Sequence, residues 1–158
     1  MLKLIGLALI SFVCLGVGYD GFKKVRTGAK NTESLLRLVR HIESEISYKS
    51  PPLCEIYARF DDENFKEQGI IELLCKKGLD FAIESIGKSC DAEAMKIVRS
   101  FCTELGKNGR DGQISLCKRT AEALDLICRK VSDEAPKKAK VYLCLSFSVL
   151  LCALIIIV

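Results

Sequence analysis

Hydrophobic positions along this chain fall into three zones. At the two ends they run together: residues 4–19, LIGLALISFVCLGVGY, and residues 141–158, VYLCLSFSVLLCALIIIV, carry no charge. Between them apolar residues recur every three or four positions, the spacing of one face of an α-helix. No stretch alternates apolar and polar residues between turn signals, so the middle predicts helices and no strands.

The helical pattern divides at recognisable stops. Asn31 and Thr32, both good N-caps, predict the start of the first soluble helix, whose stripe is Leu35, Leu38, Val39, Ile42 and Ile46. SPP at 50–52 ends it, because the residue before a proline leaves helical space. Pro52 suits the first turn of a short second helix with Leu53, Ile56, Tyr57 and Phe60. DDEN (61–64) opens a third stretch through Ile70, Ile71, Leu74 and Cys75, broken at Gly78. Leu79, Phe81, Ile83 and Ile86 mark a segment that ends at Gly87. Asp91 predicts the cap of a helix with Ala94, Ile97, Val98, Phe101, Cys102 and Leu105, stopped at Gly106. After the glycine-rich turn GKNGRDG, a long helix is expected from Asp111 to Ser132, with Ile114, Cys117, Ala121, Leu124, Cys128 and Val131 on one face. Most of these helices are too short to be stable alone, so the expected fold is all-α, a small helical bundle flanked by two transmembrane helices.

The flanking helices follow from length. Eighteen residues make a helix of roughly 27 Å, close to the ~30 Å hydrocarbon core of a bilayer. A dozen Val, Leu, Ile and Phe residues in the C-terminal stretch contribute up to about −4 to −7 kcal/mol to insertion. A buried core helix there would need a polar face, which it lacks. Tyr142 sits where an interfacial aromatic would. The N-terminal stretch fits either a retained anchor or a cleavable signal peptide. Lys23, Lys24, Arg26 and Lys30 follow it at once and resist translocation, which favours the anchor. With Lys137, Lys138 and Lys140 they place the middle on the cytoplasmic side. The organisation expected is a transmembrane helix over 1–22, a cytoplasmic bundle over 23–140 and a second transmembrane helix over 141–158, held against the cell membrane by both ends.

Charge sharpens this division. Residues 20–140 hold 23 of the 24 Lys and Arg and all 20 Asp and Glu. The net charge of +4 is small and mixed in sign, unlike the gathered basic face of a nucleic-acid binder. The nine cysteines are odd in number. The six in the middle lack CxxC spacing and recur in apolar helical patterns, as buried thiols in a reducing compartment do.

Candidate chemistry is sparse. His41, the only histidine, sits in a helix beside Ile42 and reads as a boundary residue rather than a base. The cysteines lack the close pairs of a zinc site. GKNGRDGQ lacks the GK[ST] ending and the preceding strand of a phosphate loop. Glu43 and Glu45, two apart, point to different sides of a helix and do not pair as acid and base. The reading is a protein that is not an enzyme, with no cofactor and no small-molecule substrate.

Two phrases carry a resemblance. In LLRLVRHIESEISYKSPPL (35–53), Glu43, Glu45, Ile46, Tyr48, Pro52 and Leu53 match a leucine-rich helix, an E-I-x-Y element and a nearby P-L. In TELGKNGRDGQ (103–113), Leu105, Gly106, Asp111 and Gln113 match an L-G, then D, then Q element. With its span–helices–span order, the chain resembles the stage III sporulation protein AB family over essentially its whole length. It departs in its nine cysteines and in Gly109 and Gly112, which loosen the second turn. The resemblance implies a mother-cell membrane protein of the channel between mother cell and forespore, with other stage III sporulation membrane proteins as neighbours. It implies a cytoplasmic domain similar to the N-terminal domain of type II secretion and type IV pilus platform proteins, coupled to a secretion-type ATPase resembling stage III sporulation protein AA. Glu43, Glu45, Tyr48, Leu105, Gly106, Asp111 and Gln113 then become structural or docking positions, none catalytic. Two alternatives stand beside it: a thiol-based redox or metal-sensing membrane protein, and a surface-exposed domain anchored at its C-terminus.

Overall fold

The computed structural model describes the backbone of residues 2–49 and 51–157, and the side chains of residues 19–49, 51–137, 140, 141, 144 and 148. Every regular element among the described residues is helical, as the periodicity predicts: α1 (Leu2–Tyr48), α2 (Leu53–Arg59), α3 (Glu63–Glu67), α4 (Ile70–Lys77), α5 (Leu79–Ile86), α6 (Ala92–Glu104) and α7 (Arg110–Ile157), with a 3₁₀ turn at Gly87–Ser89. The chain divides into two compact units, one of Gly28–Val131 and one of Met1–Thr27 and Ser132–Val158.

The Gly28–Val131 unit is a helical bundle around one core. Leu35, Leu38, Val39 and Ile42 of α1, Ile56 of α2, Phe65 of α3, Leu74 of α4, Ile83 of α5, Val98 and Phe101 of α6, and Cys117 and Leu124 of α7 are nearly or fully inaccessible to solvent. Each short helix contributes one or two such residues, so only their mutual packing can hold them folded.

Several boundaries differ from the sequence reading. Asn31 and Thr32 are not a helix start: α1 runs through both, and both are fully buried. The Thr32 hydroxyl donates to the carbonyl of Gly28, one turn back, at 2.9 Å. Asn31 Nδ2 donates to the Ser89 carbonyl at 3.2 Å, while its Oδ1 accepts from Asn64 and Gln68. Thr32 bonds back within its own helix and Asn31 reaches across the fold, which satisfies their polar groups without ending the helix. The third stretch is two helices. Asp62 caps α3 by accepting from the Phe65 amide at 2.9 Å, and Gly69, at φ 69°, separates α3 from α4 in a left-handed conformation that favours glycine. In α5 Phe81 is exposed and Ala82 takes the inward position. Asp91 caps α6 as expected, accepting from the amides of Glu93 and Ala94. In α7 the helix does not stop at Ser132; Pro136 lies within it, at the cost of one backbone hydrogen bond.

Among the described residues no helix is long and apolar enough to cross a membrane. The two stretches expected to do so, with Tyr142, fall almost wholly outside the residues whose side chains are described.

Candidate docking cleft

The two phrases singled out in the sequence meet in space. α1 ends at Tyr48, and Pro51, Pro52 and Leu53 lead into α2. α6 ends at Glu104; Leu105 turns to extended backbone and Gly106 takes φ 85°, a value L side chains rarely adopt. A cleft of about 230 Å³ opens between these stretches and the start of α7, lined by Ile46, Pro51, Leu53, Leu105, Gly106, Arg110 and Gln113.

Arg110 joins its walls. Its Nε donates to the Ile46 carbonyl at 3.2 Å, and its Nη2 donates to the Ser47 carbonyl. The last carbonyls of a helix carry partial negative charge, which a guanidinium placed there complements. Gln113, which also lines the cleft, is only 6% exposed. Its amide nitrogen Nε2 donates to the Asn108 carbonyl at 3.3 Å. Its Oε1 is buried and accepts no hydrogen bond from any described residue.

Of the seven positions proposed from the sequence, Leu105, Gly106 and Gln113 line this cleft and the other four do not. Glu45 pairs with Arg59 of α2 at 3.1 Å. Glu43, half-buried, acts electrostatically on the Cys117 thiol of α7. The two carboxylates thus lie on different flanks of α1, as their spacing requires. Tyr48 is 77% exposed, with the Lys49 ammonium 5.5 Å from its ring centre. Asp111 is exposed in the first turn of α7, where a negative charge suits the helix dipole. Arg110 escaped the sequence reading. It lies inside GKNGRDG, and nothing in a glycine-rich turn signals that one of its side chains bonds the end of a helix 63 and 64 residues earlier. His41 is structural: its Nε2 lies 3.1 Å from the Ile56 carbonyl and its ring packs against Phe60.

The cysteines depart from expectation. Of the six in the bundle only Cys117 is buried; Cys90, Cys102 and Cys128 are partly covered, and Cys54 and Cys75 are exposed. Burial pushes the Cys102 thiol up to about 12, helped by the nearby Asp80 carboxylate. Burial likewise raises Cys117 to about 11, with Glu43 adding to it, and Cys128 to about 11, with Glu33 and Asp125 adding to it. Cys90 also moves up on burial. A thiol sensor needs the opposite shift, toward thiolate at neutral pH. Among the described residues no group of three or more His, Cys, Asp or Glu could hold a metal ion.

These shifts predict an alkaline limit. A thiol whose folded pKa is raised stabilises the fold fully below its unfolded value of 9.0, and that stability is lost as pH climbs toward 11–12. The denaturation midpoint should hold level from pH 7 to 8.5 and fall between pH 9 and 11. Cys102→Ala should flatten that fall; an unchanged slope would remove Cys102 as a cause.

A family model described as Stage III sporulation protein AB matches residues 3–158. The chain belongs to the stage III sporulation protein AB family. Its members act in stage III of sporulation, and the family is not a known enzyme family. Neither the curated proteins nor the solved structures include a match to the chain. The family's motif residues therefore take their geometry from this fold alone: Leu105, Gly106 and Gln113 from one phrase, and Ile46 and Leu53 from the other, share one cleft.

Proposed function

We propose that the chain is a non-enzymatic platform component of the secretion-like complex joining mother cell and forespore. Two membrane spans at residues 1–22 and 141–158 hold the bundle against the mother-cell membrane, and the bundle presents a surface to a cytoplasmic secretion-type ATPase resembling stage III sporulation protein AA. The observation that carries this reading is the family match over residues 3–158. The uncharged ends of the sequence and the purely helical bundle between them support it. A platform transmits force by resisting displacement, and two anchors restrain rotation of the bundle better than one.

Topology is tested first. A reporter fused at Phe60 should register the cytoplasmic side; an external signal would reject the arrangement. Docking is tested by reversing Glu43 and Glu45 separately to Lys. Exposed ion pairs such as Glu45–Arg59 contribute about 0–1 kcal/mol, so each variant should keep its helicity and its melting temperature within a few degrees. Co-purification of the ATPase should fall by about tenfold. The Glu45→Lys/Arg59→Glu swap restores the internal pair with its charges exchanged. If it also restores ATPase binding, Glu45 acts by positioning α2 and does not touch the partner.

A further inference from the structure

Two sets of cations stand free at the edges of the uncharged runs. Met1–Thr27 of α1 and Ser132–Val158 of α7 form one compact unit. Within it Tyr19, Lys23 and Arg26, spaced four and three apart, share one face of α1, and all three are exposed. On α7 Lys137, Lys140, Val141 and Cys144 repeat that helical spacing and are likewise exposed. Tyr19 and Val141 are the residues at which the uncharged runs 4–19 and 141–158 meet the charged middle, yet they are 66% and 56% exposed. Each helix therefore passes from exposed apolar surface to exposed cation along one face. Among the described residues Lys23, Arg26, Lys137 and Lys140 form no ion pair. The stretches 20–27 and 132–140 hold three acids, Asp20, Asp133 and Glu134, against twice as many basic residues, so this end of the unit stays net positive.

We propose that Lys23 and Arg26 of α1 and Lys137 and Lys140 of α7 form a collar that binds the phosphates of anionic phospholipids at the membrane surface, with Tyr19 and Val141 seated at the apolar boundary. The occupant follows from continuity and from charge. The same faces run directly into the uncharged stretches, so what covers them is apolar at one level and anionic at the next, as a bilayer surface is. A soluble acidic protein supplies the charge without the apolar layer. Residues 4–19 make a helix of roughly 24 Å, shorter than the ~30 Å hydrocarbon core. A short span draws its flanking basic residues toward the headgroups. There each cation strengthens attachment to anionic lipid by about fivefold, and the Arg26 guanidinium matches a phosphate with two parallel N–H donors. This rests on the two-span reading and specifies the lipid that the spans meet.

The test uses the full chain reconstituted in phosphatidylcholine vesicles carrying a trace of spin-labelled phosphatidylglycerol or spin-labelled phosphatidylcholine. Electron paramagnetic resonance reads the share of each label immobilised at the protein. The wild type should prefer phosphatidylglycerol by about threefold or more. The preference should fade as added salt shortens the Debye length from about 10 Å to about 3 Å. Lys23→Gln, Arg26→Gln, Lys137→Gln and Lys140→Gln together should abolish it. Lys96→Gln, Lys107→Gln, Lys118→Gln and Arg119→Gln together remove the same charge from exposed positions of the bundle and should leave it intact. Both variants alter exposed side chains only and should keep the wild-type helicity. Equal immobilisation of the two labels by the wild type overturns the collar and leaves the spans standing. An equal loss in the bundle variant also overturns it, by making net charge the cause. Release of the wild type from the vesicles by an alkaline wash overturns the spans and the collar together. Displacement by inorganic phosphate beyond that by chloride of equal ionic strength would make a soluble phosphate the ligand and overturn the lipid.

Discussion

Replacing Asp62 by alanine lowers the unfolding free energy of the Gly28–Val131 bundle by about 3 kcal/mol, because three interactions end on one carboxylate. Its side chain is 1% exposed. Oδ1 accepts from the Ser34 hydroxyl at 2.9 Å and from the Phe65 amide at 2.9 Å, and Oδ2 pairs with Arg37 Nε at 3.0 Å. Loss of the cap alone costs about 1 kcal/mol. The Ser34 hydroxyl, fully buried on α1, loses its acceptor, and a buried polar group left unpaired costs about 1–3 kcal/mol more. Arg37 is half-exposed and can return to water, so its share is small. Asp62→Asn keeps an oxygen for the cap and should lose less than half as much. Urea midpoints of the two variants check both figures; an Asp62→Ala loss below 1 kcal/mol would mean that the network is slack. For a bundle of this size about 3 kcal/mol is a large fraction of the usual 5–15 kcal/mol.

That network also marks where the sequence stops being informative. Asp62, Ser34, Asn31, Asn64 and Gln68 come from two stretches of the chain, 31–34 and 62–68, and each reads locally as something else. Asn31 reads as a cap, Ser34 as one polar position in a helix, and DDEN as a solvated start. Only the fold reveals that Asn31 Oδ1 receives donors from Asn64 and Gln68 at 2.9 and 2.8 Å while its own amide reaches Ser89. Features set by neighbours in sequence were legible. Asp91 as a cap and Gly78 and Gly106 as stops rest on geometry within one turn, and the stripe from Leu35 to Ile46 on the periodicity of one helix. The cysteines were misjudged for the same reason as Asn31. A thiol on an apolar stripe can sit at its edge, and the edge is decided by which helix packs there; Cys54 and Cys75 lie outside the contact and Cys117 inside it.

The cleft was legible in parts and illegible as a whole. The sequence pointed to Leu105, Gly106, Gln113, Ile46 and Leu53 through resemblance, and to all of these but Gln113 through helical patterning as well. It gave no reason to join them, because the joining residue, Arg110, acts on backbone carbonyls that any sequence possesses. The same limit explains why Glu43 and Glu45 lie apart from it. Helical spacing of two residues settles that they diverge, but which neighbours they meet, Cys117 and Arg59, depends on packing between helices.

Phe101→Ala should cost about 3–5 kcal/mol, the usual loss when a buried phenylalanine leaves a cavity. Phe101 is 1% exposed near the C-terminal end of α6. Its backbone carbonyl accepts from the Leu105 amide at 2.9 Å, and Leu105 and Gly106 form one lip of the cleft. The ring therefore fixes the helix end from which that lip hangs. Phe101→Leu refills much of the volume and should cost under about 1.5 kcal/mol. The effect should also be uneven within the bundle. Hydrogen exchange at the Leu105 amide should accelerate in Phe101→Ala more than exchange at buried α1 positions such as Val39, because the cavity opens beside α6 while Asp62 and Asn31 still tie α1 to α3. Uniform acceleration would show that the ring supports the core as a whole and the lip only through global stability. Selective acceleration would show that one buried side chain holds the cleft in shape.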